Sequence, residues 1–353
     1  MERHTAARYF LGANSKRGFV SLYDGFTAGG EFLRVIKGGP GCGKSTLMKR
    51  IGAAAEAAGL PVEYILCSGD PDSLDGLRLP TLGTAYVDGT APHVIEADYP
   101  GAGASYLNMG VFLKEQELRP LLPELAELNR RYKALYGEAY ALLGAGAALL
   151  PKNMPGLWGA PERERVEKKA GALAARELPR LKKAGTLRRR FLSALSCRGR
   201  LRLDETAAAE AERVIVLDNA LGLGHVFLDR FAGAALARGC DAVLCPDPLE
   251  PEKPEALLLP EAGLALLAGE EGPAFANPRR LRLDDIPDRE LLSGQRALLR
   301  RRKKESARLI DEALDVLARA KTLHDELEAL YRPHVDFEGA SRLAEEHIAS
   351  LGL

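Results

Sequence analysis

Long hydrophobic runs are missing from this chain. The longest apolar stretch, 139–150, is interrupted by glycines. It falls short of the roughly 20 residues that a membrane-spanning helix needs. No apolar segment of signal-peptide type follows Met1-Glu2-Arg3-His4. Cysteine is sparse: five residues, at 42, 67, 197, 240 and 245, with no C-x-x-C spacing. That excludes a disulfide framework and reads as a reduced, cytoplasmic chain. His4, His324, His334 and His347 show no ligand spacing with cysteine or carboxylate, so no zinc site is expected. An excess of one charge is also lacking. Lys plus Arg and Asp plus Glu are both 49, which argues against a nucleic-acid-coating or membrane-surface protein. No guanine-reading N-K-x-D occurs, which disfavours a GTPase.

What is present is ordinary globular composition, 46% hydrophobic and 28% charged, too apolar for long disorder. At roughly 100–200 residues per domain, 353 residues imply two domains. They read as two copies of one unit. Phe10-Leu11-x-Ala13-x-Ser15-x-Arg17-Gly18 recurs as Phe191-Leu192-x-Ala194-x-Ser196-x-Arg198-Gly199. Gly41-x-Gly43 falls on Gly222-x-Gly224 at the same shift, and Leu79-Pro80-x-x-Gly83 meets Leu259-Pro260-x-x-Gly263. Each copy continues into a helical tail with apolar residues at helical spacing. The boundaries are 1–110 for the first α/β unit and 111–185 for its tail, then 186–285 for the second unit and 286–353 for its tail. The expected class is α/β, a parallel sheet covered by helices on both faces. Strands are expected at Tyr9–Ala13, Phe32–Ile36, Val62–Ser68 and Leu82–Val87, with helices at Thr46–Ala58 and Phe19–Phe26.

Gly38-Gly39-Pro40-Gly41-Cys42-Gly43-Lys44-Ser45-Thr46 fits G-x-x-x-x-G-K-[ST] between an apolar strand and a helix-compatible run. The chemistry needs this pattern. Glycines let backbone N–H groups close around phosphate oxygens at a helix N-terminus. Lys44 would reach the β- and γ-phosphates, the Ser45 hydroxyl would ligate Mg²⁺, and Thr46 would meet the α-phosphate. The apolar strand Leu82–Val87 ends in Asp88, a second Mg²⁺ partner. Gly89 stands where many ATPases carry a water-polarising glutamate, so His93 is the candidate for that role, ahead of Glu96 and Asp98. Cys42 reads as a tolerated small residue. Asp70, Asp72 and Asp75 could hold a second substrate, but Asp-Pro-Asp-Ser is ordinary turn chemistry and the turn is preferred.

At the 181 shift the second copy has His225, Val226 and Phe227 for Lys44, Ser45 and Thr46, and Asn219 for Gly38. Asp88 becomes Ala268, and His93 becomes Ala274. Lysine, hydroxyls and carboxylate disappear together while the scaffold stays, so only the first copy is expected to bind nucleotide. Arg180–Arg202 holds nine basic residues and no acidic one. It reads as a solvated connector, with nucleic-acid contact or an arginine finger as the alternative.

These residues resemble an uncharacterised bacterial, Firmicutes-type family of tandem-repeat P-loop ATPases. The resemblance runs from Tyr9-Phe10-x-Gly12 through Lys37–Lys49, Cys67–Gly76 and Asp88-Gly89-Thr90-Ala91-Pro92-His93-Val94 to His324–Glu328 and Val335-Asp336-Phe337. It spans nearly the whole chain. It implies an ATP-binding P-loop protein, without supplying a substrate. The chain departs from the family's two competent loops in its second copy. The expected function is a Mg-dependent ATPase or switch with one site and an unidentified protein partner. The alternatives are a nucleotide or small-molecule kinase and a non-hydrolysing ATP-binding interaction protein.

Overall fold

The computed structural model describes residues 6–27, 30–91, 94–269, 275, 278–287 and 289–353. The first copy runs β1 (Ala6–Phe10), β2 (Gly12–Ser15), β3 (Gly18–Ser21), β4 (Phe32–Lys37), α1 (Lys44–Ala57), β5 (Val62–Leu66), β6 (Leu74–Leu79), β7 (Thr84–Asp88) and β8 (Ala104–Asn108). A single turn α2 (Glu115–Leu118) and the helices α3 (Leu122–Leu149) and α4 (Ala160–Glu177) follow. The second copy repeats the order: β9 (Leu187–Arg189), β10 (Ser193–Ser196), β11 (Gly199–Arg202), α5 (Asp204–Glu210), β12 (Arg213–Leu217), α6 (Gly224–Ala237), β13 (Ala242–Pro246), β14 (Pro254–Leu259), β15 (Leu264–Ala268) and β16 (Arg279–Leu281). It ends in the 43-residue α7 (Arg289–Tyr331) and α8 (Phe337–Ser350). Among the described residues no helix is long and apolar enough to cross a membrane.

The α/β class and the duplication hold. The sheets are ordered β1-β5-β6-β7-β4-β8 and β16-β12-β15-β14-β13-β9, the same order read from opposite ends. Neither is purely parallel, as the sequence suggested. β6 runs antiparallel to β5 and β7, and β14 antiparallel to β13 and β15. Nor do helices cover both faces. One face of each sheet packs on the other copy's sheet, where Val35, Ile65, Ala85 and Val87 share a core with Val243, Ala256, Leu258, Ala265 and Leu267. Burial on both faces explains why these strands read as continuous apolar runs.

Phe19–Phe26 is not a helix. Phe19 and Val20 lie in β3, which pairs with β2 as a hairpin. Ser15 Oγ accepts from Arg17 N–H at 3.1 Å and donates to the Gly18 carbonyl at 2.7 Å, and Gly18 takes φ +98°. That left-handed turn needs glycine. Ser196 and Gly199 (φ +91°) repeat the same turn in β10–β11, so the recurring Ser-x-Arg-Gly is a hairpin signature. The hairpins interlock. Phe10 and Phe191, at matching positions, exchange both backbone hydrogen bonds at 2.9 and 2.8 Å. Lys16 N–H donates to Leu249 O and Cys197 N–H to Gly69 O, again matching pairs. Residue i meeting j while j′ meets i′ is the arrangement of a two-fold interface within one chain.

The tails are exchanged. α3 and α7 lie antiparallel, burying Leu125 and Leu128 with Leu323 and Leu327, and Ala139 with Val316 and Leu317. α4, from the first copy, packs Val166, Ala170 and Leu173 on Phe227 and Phe231 of α6. α8, from the second, packs Ala340 and Ala344 on the core beneath α1.

Candidate functional site

The loop joining β4 to α1 lies at the carboxyl ends of β4 and β7, which run parallel with Ile36 opposite Asp88. Gly41 and Gly43 take φ +67° and +94°. Gly43 is the last residue before α1, so Lys44 and Ser45 open the helix. The Lys44 ammonium donates to the carbonyls of Gly39 (2.9 Å) and Gly38 (3.3 Å) and lies 3.6 Å from Asp88 Oδ2. Asp88 Oδ1 accepts from Thr90 N–H (2.9 Å) and Thr90 Oγ1 (2.6 Å), which turns Oδ2 toward the lysine. Ser45 Oγ accepts from Leu74 N–H at 2.9 Å and keeps a lone pair. A hydroxyl and a carboxylate beside a glycine turn suit a hard divalent cation. Among the described residues no side-chain oxygen accepts from the amides of Gly39, Gly41 or Gly43. Pro40 sits between Gly39 and Gly41, and Thr46 is exposed one residue beyond Ser45. Burial pushes the Cys42 thiol up, against the pull of Lys44, so the sulfur is an inert neighbour of the loop.

His93 lies outside the described residues. Glu96 is held by the Lys37 ammonium at 2.8 Å and by the Tyr106 hydroxyl. Asp70 caps its own turn, accepting from Asp72 N–H and Ser73 Oγ, as the turn reading expected. The basic run Arg180–Arg202 is largely consumed by ion pairs. Arg188 and Arg190 reach Glu63, Lys183 reaches Asp241 and Glu261, Arg198 reaches Asp72, and Arg200 reaches Glu255.

The second loop corrects one correspondence. Leu217 opposes Ala268 just as Ile36 opposes Asp88, an offset of 181 in the strand. The buried face of α6 (Phe227, Leu228, Phe231, Ala232, Ala235) matches that of α1 (Leu47, Met48, Ile51, Gly52, Ala55) at an offset of 180. The second loop is therefore one residue shorter, and Lys44, Ser45 and Thr46 correspond to Gly224, His225 and Val226. A fixed shift could not reveal a deletion inside the motif. The shorter loop is also filled. Asp284 accepts from the amides of Ala220 (3.2 Å) and Leu221 (3.1 Å), and Asn219 Oδ1 accepts from Gly224 N–H at 2.8 Å. Trp158 Nε1 donates to Leu221 O, and Lys152 packs on Gly222.

Two further residues touch the first loop, and sequence reasoning missed both. A Cβ on Gly39 would lie 3.2 Å from the Tyr331 ring, and one on Gly41 would lie 3.4 Å from Glu328. Both belong to the end of α7, some 290 residues away in sequence. No spacing rule links them to the loop. Comparison with protein-family models, with curated proteins and with solved structures returned no match.

Proposed function

We propose that the first copy binds a magnesium nucleotide, ATP by preference, and that the protein is a Mg-dependent ATPase or ATP-driven switch of the P-loop kind with a single site. The observation that carries the reading is the pairing of two unlike loops in one fold. One has open glycine amides, a lysine and a carboxylate brought to 3.6 Å. The other has its amides taken by Asp284 and Asn219.

The roles follow from chemistry. The amides of Gly38–Gly43 and the start of α1 would cradle the β-phosphate. Lys44, now held by two loop carbonyls, would turn to the β- and γ-phosphates. Ser45 and Asp88 would hold Mg²⁺, which neutralises charge on the transferred phosphoryl group. Thr46 would approach the α-phosphate. His93 remains the proposed water-orienting group. With Gly89 after Asp88, and Glu96 tied to Lys37, hydrolysis is expected to be slow without a partner. The ion-paired basic stretch leaves little charge for nucleic acid.

Nucleotide stoichiometry and phosphate release test the reading. Wild type should bind one ATP per chain with Mg²⁺, Lys44→Ala should bind none, and Asp88→Asn should lose the Mg²⁺ dependence. Binding unaffected by Lys44→Ala, or two sites per chain, would sink it. Transfer of phosphate to a metabolite pool instead of water would make the protein a kinase. Tight binding with no turnover would make it an ATP-holding interaction protein.

A further inference from the structure

The long helix α7 starts five residues after Asp284, which fills the second loop, and ends against the first loop. Its last turns and α8 together form an arm from the second copy that touches the first loop's surroundings in four places. Tyr331 and Glu328 press on Gly39 and Gly41. Leu113 bridges Val335, with Lys114 N–H donating to His334 O (2.9 Å) and Asp336 N–H to Phe112 O (2.8 Å). α8 lies along α1, where Arg50 donates to Ser341 Oγ (2.6 Å) and pairs with Glu345 (3.1 Å). His347 Nδ1 lies 3.3 Å from the hydroxyl of Tyr86, two residues before Asp88 in β7. The arm thus rests on the loop, on the helix that the loop opens, and on the strand that carries the carboxylate.

Resting on the nucleotide reading above, we infer that this exchanged arm reads the nucleotide, with Glu328 as the group that distinguishes a triphosphate from a diphosphate. Two glycines leave no side-chain layer between loop and arm, so a change in loop shape is felt directly at Tyr331 and Glu328. Glu328 meets Gly41 through its Cβ and backbone, and the carboxylate two bonds beyond that contact lies 3.8 Å from His324. It disfavours added negative charge, so a γ-phosphate displaces the helix end more than a diphosphate does. By linkage, whatever displaces the arm is itself bound less tightly while the arm is docked. The second copy, having lost its own loop chemistry, becomes the carrier of the response.

Hydrogen exchange of 324–350 in the full chain tests this, alone, with Mg-ADP, and with Mg and a non-hydrolysable ATP analogue. Affinities for both nucleotides are measured in wild type and in Glu328→Gln, whose half-exposed position tolerates the change. Exchange at 324–334 should rise with the triphosphate analogue more than with ADP. Glu328→Gln should raise the triphosphate-to-diphosphate affinity ratio about fivefold. Unchanged arm exchange in nucleotide-bound wild type, or an unchanged ratio in Glu328→Gln, overturns the inference and leaves the nucleotide reading intact. Failure of wild type to bind either nucleotide overturns both.

Discussion

The loop after β4 is partly exposed, and Lys44 is its one strong donor; the loop after β12 is buried from Leu221 to Gly224. Both stand at the same place in the same sheet order, each covered by the other copy's tail. The first keeps backbone donors available at a helix start. The second gives them to a carboxylate of its own unit, Asp284, at the place where the proposed function puts a phosphate in the first. Losing a ligand site leaves amides that still need acceptors, because a buried unpaired N–H costs about 1–3 kcal/mol. The second copy meets that requirement with Asp284 and Asn219 and carries no counterpart of Lys44, Ser45 or Asp88. On the proposed function, duplication separated two tasks that one loop cannot hold together, binding an anion and being a stable part of the core.

The sharpest way to break this comparison is at Lys44. Lys44→Ala should abolish nucleotide binding in the whole chain, read as stoichiometry by calorimetry. Any residual binding would place a competent site in the second copy. Next in size is Glu63, whose two-fold counterpart is Val243. It accepts from buried Arg190 at 2.5 Å and from Arg78 at 3.2 Å. Burial alone would raise its carboxyl, but Arg190 and Arg188 outweigh that and hold it below the usual range. Removing one partner of a buried pair costs about 3–5 kcal/mol. Glu63→Ala should lower unfolding free energy by that amount in denaturant titration, with both copies melting together. Separate transitions would mean that the copies are independent domains.

The sequence made the duplication, the first loop, Asp88 and the strands β4, β5 and β7 legible, because each is a local pattern of glycine, charge or apolar run. The hairpin at Gly12–Ser21 was misread because Phe19–Phe26 is apolar enough for either period, and only Gly18 at φ +98° decides the turn. β6 was missed because its bulge places Leu74 rather than Asp75 opposite Leu66, which breaks the alternation. The arm exchange and Glu328 depend on which copy a tail crosses to, and Asp284 on how the end of the second unit folds back over its own loop. That is settled by packing across the whole molecule, and local spacing carries no trace of it.

Asp284→Ala sharpens the account of the second loop. It should cost about 1–3 kcal/mol by leaving the Ala220 and Leu221 amides unpaired. Nucleotide stoichiometry should stay at one, since Gly224, His225 and Ala268 supply no lysine, hydroxyl or carboxylate. No loss of stability would mean that Asp284 is incidental to the loop.

The smallest effect concerns the bulge that both copies share. Asp75 in β6 corresponds to Glu255 in β14, and each follows a register shift in the neighbouring strand. Glu255 is buried, bonded to the Ser193 hydroxyl and 3.5 Å from Arg200. Burial, and then the charge of Asp247, pushes its carboxyl from 4.5 up to about 7. An acid raised in the folded state keeps its proton where the unfolded chain has already released it. The folded protein therefore binds more protons between pH 4.5 and about 7, and stability from this group falls as pH rises through that window. Glu255→Gln removes the ionisation. It should flatten the stability profile across that range, measured by denaturant midpoints at fixed salt. A profile as steep as wild type's would assign the dependence to the surrounding Lys152–Asp247–Glu250 ion pairs instead.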